Sequence, residues 1–409
     1  MSEAAAQIAI ETVARNSYGR LVAYLAARSR DIAGAEDALS DAFAAALRHW
    51  PAEGVPQKPE AWLLHTARNR LIDAARHAQV HSRVEPLLQL ASEAEGIAAM
   101  YSNFPDERLK LLFVCAHPAI DVAARTPLML QTVLGMSAAR IASAFLVSPA
   151  AMDRRLVRAK TKINEARIPF RVPDPPEWDE RASFVLDAIY SAYTAGWAMM
   201  VDDGSTSHGL AHEAIALGRT LVQLLPKEPE AHGLLALMLH CEARRDARSR
   251  ENGEFAPLDQ QDVTLWSRPM IDEAESHLRT ASTFKQIGRY QLEAAIQSIH
   301  AHRAHTGKID WREIALLYEG LVQCSPTTGA QVGRAIALAE AGDAAEGLAA
   351  LDKIPVATTT NYQPWWAARA HVLRRLGREP EAHHAFERAA SLTDDPSLRA
   401  YLLGKATGA

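Results

Sequence analysis

The sequence predicts an all-α protein, and three observations carry that prediction. Ala, Leu and Arg are abundant while aromatic residues make up only 6%, and unbranched side chains lose little rotamer freedom in a helix. Apolar residues recur at helical spacing and β-branched runs are scarce. The last third of the chain repeats itself at a period near that of stacked helix pairs. With 409 residues, 48% hydrophobic and 23% charged, the chain can bury a sizeable core in two or three domains.

The N-terminus, MSEAAAQIAIETVARN, lacks the basic start and continuous apolar run of a signal peptide. No apolar segment approaches bilayer length. Cys115, Cys241 and Cys324 lie far apart in no metal-ligand spacing, so a reduced, cytoplasmic protein without metal or other cofactor is expected. Residues 8–84 form the first helical segment. Within it AGAEDALSDAFAAALRHW (33–50) and EAWLLHTARNRLIDAARH (60–77) flank a proline-interrupted loop at 50–62. A linker, partly helical, is expected at 85–103.

Residues 104–167 form a second small helical unit containing LGMSAARIASAFLVSPAAMDRRLVRAK (134–160). Ser137 caps a short helix through Phe145, Leu146-Val147 turn, and Ser148-Pro149 restart a helix with a cap and a proline at its first position. The second helix lines Met152, Leu156, Ala159 and Ile163 along one face. Arg154, Arg155, Arg158, Lys160 and Lys162 fall on the others. This is the form of a DNA-recognition helix, with an apolar seam inward, N-terminal residues toward base edges and flanking arginines toward phosphates. A solvated basic edge on an ordinary helix pair has the same pattern, and the stretch alone does not choose a class of DNA-binding protein.

IPFRVPDPPEW (168–178) holds four prolines, which remove amide donors and push their predecessors out of the α region, so a domain boundary is expected at 168–179. Residues 180–404 then read as helix after helix. RAIALAEAGDAAEGLAAL from Arg334 matches RAHVLRRLGREPEAHHAF from Arg369 at a shift of 35 residues. Ala335 pairs with Ala370, Leu338 with Leu373, Gly342 with Gly377, Glu346 with Glu381, and Ala350 with Ala385. Small residues at this period predict tetratricopeptide-like helix pairs, with Gly307 and Ala315 one step further back. For 180–290 only helices are predicted. The net charge of −5 is uneven: 1–172 hold 21 Lys+Arg and 17 Asp+Glu, leaving 23 and 32 of the chain's 44 and 49 for 173–409. A basic front and an acidic back fit a nucleic-acid-binding part joined to a regulatory part.

The AEDALSDAF and AWLLHTARNRLID segments resemble region 2 of the extracytoplasmic-function group of bacterial RNA polymerase sigma factors, with 104–167 in the place of region 4. ERLKLLFVCAHPAI (107–120), IPFRVP, the stretch EAIALGRTLVQLLPKEPEAHGLLALMLHCEARRDAR (213–248) and LDQQDVTLW (258–266) are similar to the subgroup carrying a long tetratricopeptide-like C-terminal extension. The resemblance spans nearly the whole chain.

It implies a sigma factor that binds core RNA polymerase, at the β′ clamp and β flap, and promoter DNA, and that makes no covalent bond itself. Glu36, Asp37, Asp41 and Phe43 would dock on the clamp. Trp50, Trp62, Arg68, Asn69, Arg70, Asp73 and Arg76 would handle the −10 element, where a basic track and stacking surfaces hold the melted strand. Trp62 also matches a position that is more often core. Ser148, Asp153, Arg154, Arg155, Arg158 and Lys160 would serve the −35 element. The family's run of arginines after Asp73 is weakened here to AARHAQVHSR. The subgroup typically lacks a dedicated membrane anti-sigma partner, so the extension is expected to pack on its own sigma domains and to restrain or support them.

Two other function classes compete. A helix-turn-helix regulator with a repeat sensor domain would share the recognition helix but leave 33–77 without purpose. An enzyme is suggested only by histidines (His208, His212, His300, His302, His305), which lack an HExxH or paired-cysteine pattern, and no phosphate-binding glycine loop or nucleophile elbow accompanies them.

Overall fold

Helix follows helix through the computed structural model, which describes residues 3–77, 106–145, 147–173, 177–198, 206–250 and 252–408. Among them no strand forms, and one isolated bridge joins Ser249 to Phe255. The linker expected at 85–103 lies outside the described residues. The chain divides into two compact units, Met1–Leu217 and Gly218–Ala409. The division falls inside a helix, not at the proline-rich segment.

The first unit opens with α1 (Glu3–Ser29), α2 (Ile32–Glu53) and α3 (Pro59–His77). The second half of α1 is buried on all sides, Leu21, Val22, Leu25 and Ala26 being at most 1% exposed. It sits at the centre, packed by α2, α3 and the next two helices, α4 (Arg108–Cys115) and α5 (Val122–Thr132). Gly19 makes the approach to α5 possible: a Cβ there would lie 1.8 Å from the carbonyl oxygen of Val133. The loop after α2 is shorter than the prolines predict. Pro51 is accommodated inside the last turn, and Gly54, at φ +92°, stops the helix.

Two short-linked helices follow, α6 (Ala138–Ala144) and α7 (Pro149–Glu165), then α8 (Trp178–Ala198) and α9 (Thr206–Leu224), in which the unit boundary falls. The extension therefore begins inside this unit. Helix α8 packs across α4 and α5, with the Arg125 guanidinium 4.6 Å above the Phe184 ring. Arg108, 5% exposed, bridges Asp106 at 2.7 Å and also pairs with Glu213 of α9.

The second unit continues with α10 (Pro229–Glu242), α11 (Arg268–Thr283), α12 (Arg289–Thr306), α13 (Trp311–Cys324), α14 (Thr328–Glu340), α15 (Ala344–Asp352), α16 (Val356–Thr359), α17 (Gln363–Arg375), α18 (Glu379–Ser391) and α19 (Pro396–Thr407). Helix α10 is almost wholly buried, which is why its sequence shows no amphipathic stripe. Its Glu230 caps α12, accepting from the backbone of Tyr290 at 2.8 Å and Gln291 at 3.1 Å. The 35-residue shift maps α14–α15 onto α17–α18. Gly342 and Gly377 turn both pairs at φ +112° and +70°, and Ala335 and Ala370 are both 0% exposed at the seam.

Candidate nucleic-acid interface

Helix α2 separates an interior seam from an open stripe. Asp31 caps it through the Gly34 amide at 3.2 Å, and Ile32, Ala35, Leu39, Ala42, Ala46 and Trp50 turn inward. Asp37, Ser40, Asp41, Leu47 and Arg48 form the exposed stripe, with Phe43 half-buried beside it. Leu47 on this stripe is 54% exposed. It stands two turns after the exposed Ser40, on the outward face.

The expectations for the −10 element divide. On α3, Asn69, Arg70 and Asp73 are exposed and His65 joins them, its Nε2 lying 3.1 Å from Asn69 Nδ2. Trp62 is half-buried. Trp50, by contrast, is interior at 2% exposure, edge-on to Trp62 with ring centres 5.5 Å apart. Arg68 is interior too, 7% exposed, with Nε lacking a hydrogen-bond partner. These two corrections have one cause: Trp50 continues the Ala42–Ala46 seam of α2, and Arg68 falls on the Leu64–Leu71 seam of α3. The side chain of Arg76 lies outside the described residues.

In α6–α7 the caps form as the sequence predicts. Ser137 accepts from the Arg140 amide at 3.4 Å and Ser148 from Ala151 at 3.3 Å. Val147 donates to the Ala142 carbonyl at 3.0 Å, closing the turn. Met152, Leu156, Ala159 and Ile163 are all buried. Ser148, Asp153, Arg154, Arg158 and Lys162 are exposed. Arg155 reaches back to the Ala123 carbonyl at 3.2 Å, so it ties α7 to α5. Val157, 62% exposed among these charges, escaped the sequence reading, which looked for charge; methyl groups contact thymine methyls in a major groove.

The first unit also brings α2 and α7 together, which no motif predicts. Lys160 forms an ion pair with Glu36, the side chains being 12% and 14% exposed. Asn164 donates to Asp31 at 2.9 Å, and Tyr18 fits beneath Gly135, where a Cβ would stand 3.1 Å from its ring. Burial pushes the Glu36 carboxyl above its ordinary range, and Lys160 offsets this only in part. One Glu36 oxygen has no hydrogen-bond partner. Glu36 and Lys160, expected on polymerase and DNA respectively, here occupy each other.

Residues 14–80 match sigma-70 region 2, and residues 181–282 match a family of unknown function, DUF6596. The first match covers most of α1 and all of α2 and α3; the second begins just after the proline-rich segment. No solved structure matches the chain significantly. Among the described residues no helix is long and apolar enough to cross a membrane. An uncharacterized protein, R00370 of Rhizobium meliloti (strain 1021), is 36% identical over 405 residues, covering 97% of this chain and 93% of its own. The chain therefore belongs to the family of that Rhizobium protein, and its N-terminal part carries a sigma-70 region 2 match, which supports a sigma factor role.

Proposed function

We propose that the chain is an alternative, extracytoplasmic-function-type sigma factor whose C-terminal, tetratricopeptide-like extension governs its activity. In this reading the exposed stripe of α2, with Asp37, Asp41 and Leu47, docks on the polymerase clamp. The open face of α3, with Asn69, Arg70 and Asp73, meets the −10 element. Helix α7 reads the −35 element through Asp153, Arg154 and Val157, and Arg158 and Lys162 take phosphates. The observation that carries the proposal is the region 2 match laid on α1–α3, where Asp37, Asp41 and Leu47 of α2 are exposed.

The ion pair between Glu36 and Lys160 supports a resting arrangement in which the two promoter-binding halves are held together. Polymerase and DNA would then have to separate them. Run-off transcription with core polymerase on a promoter library tests the function directly. Full-length protein should yield promoter-specific transcripts. DNA binding without transcripts, and without copurification of core polymerase, would replace the sigma reading with that of a plain helix-turn-helix regulator. A truncation belongs at Leu217 and not at 178, because α8 covers α4 and α5. The direction in which activity changes then tells whether the second unit restrains or supports.

A further inference from the structure

The second unit holds a partly open cavity of about 730 Å³ that neither matched family explains. It is framed by the 257–260 segment and by α12, α13, α14, α17 and α19, so consecutive helix layers contribute to one chamber. That volume lies in the range of small-molecule sites, roughly 300–1,000 Å³.

The lining has a definite chemistry. Trp311, Ile336 and Ala367 supply apolar wall, and Phe255 and Tyr401 close one side, their rings edge-on at 5.5 Å. Asp259 also lines the chamber, its carboxylate interacting with the Arg303 guanidinium, and most of the other charged groups are spoken for. Glu340 is held by His371 at 2.6 Å and Arg375 at 3.1 Å. Arg374 donates to the Lys405 carbonyl and lies 4.7 Å above the Phe386 ring. Lys405 itself has no carboxylate partner among the described residues; its ammonium stands 5.7 Å from the Tyr401 ring centre. His300 lines the chamber at 8% exposure, 5.5 Å edge-on from Trp311. Its Nδ1 is sealed without a partner, and no hydrogen bond to either ring nitrogen is made by the described residues. Burial holds that ring neutral, pulled down to about 4.

A partly enclosed cation and an unpartnered buried imidazole in one aromatic-walled chamber call for an occupant that is apolar in body and singly anionic. A polyanion such as a phosphate ester would need more free cations than Lys405 alone. We propose that this chamber binds a small amphipathic carboxylate, its anionic group at Lys405 and its apolar body against Trp311, Ile336 and Ala367. The site lies wholly within residues 218–409 and does not depend on the sigma reading.

Calorimetric titration of the full-length protein with 2-naphthoate, decanoate and decyltrimethylammonium tests it. The two carboxylates should saturate one site per chain, and the cation should give no saturable heat. Lys405→Met should weaken both carboxylates at least tenfold without shifting the melting temperature, and Ala367→Trp should abolish binding by filling the chamber. Equal binding of the cation, unchanged affinity in Lys405→Met, or no saturable heat from either carboxylate would overturn the proposal. Tighter binding of an extended acidic peptide than of either carboxylate would do the same, making the chamber a peptide groove.

Discussion

Replacing Lys160 with Met tests the contact between α2 and α7. The Met side chain keeps most of the lysine's apolar stem but leaves the Glu36 carboxylate, only 14% exposed, without its cation. One of its oxygens already lacks a partner, so no nearby donor takes over. Breaking a buried pair by removing one member costs about 3–5 kcal/mol; some exposure remains here, so the lower end, about 3 kcal/mol, is expected. Glu36→Gln should cost less, about 1 kcal/mol, because the lysine stem can carry its ammonium to water. The double variant should return to within about 1 kcal/mol of the parent.

Chemical unfolding of the four proteins supplies the cycle. Spin labels at Ser40 and Lys162, both exposed, report the distance between the two helices. A loss of about 3 kcal/mol shifts the closed population about two orders of magnitude toward the open one, so Lys160→Met should add a long-distance population that the double variant lacks. A coupling below about 0.5 kcal/mol, the value of an exposed pair, together with unchanged distances would refute the reasoning.

Gly19→Ala should lower the first unit's stability by about 2 kcal/mol or more, since its Cβ would overlap the Val133 carbonyl and backbone must move; a thermal melt checks it. Arg154→Ala should cost roughly 1–3 kcal/mol at promoters carrying its preferred base and little at others. Arg158→Ala should weaken every promoter alike and lower the salt slope by about one; filter-binding titrations in salt separate the two. Leu47→Asp, at an exposed position, should leave the melting temperature unchanged and reduce capture of core polymerase. Burial, then the charge of Arg244, lowers His240 to about 3. With an unfolded value near 6.5, its stabilising effect is complete above that pH and fades as pH falls toward 3. His240→Leu should flatten the acid limb of the melting profile.

The sequence by itself determined the local structure. Caps at Ser137 and Ser148, the buried seam of α7 and the two glycine turns 35 residues apart depend on neighbours within a few positions, so spacing and side-chain chemistry were enough. Of the acidic residues of α2, Asp37 and Asp41 are exposed but Glu36 is covered, because helical periodicity shows that two faces differ but not how wide the buried one is. Tertiary packing decided the rest. Trp50 and Arg68 went inside because each falls on the seam its helix turns toward the rest of the α1–α3 bundle, a fact set by neighbours distant in sequence. The first turns of the extension joined the first unit because Arg108 and Arg125 face Glu213 and Phe184 across about a hundred residues or fewer, at separations no periodicity encodes. Lys160 met Glu36 for the same reason: a charge on a helix surface reads as solvated until another helix covers it and removes the water.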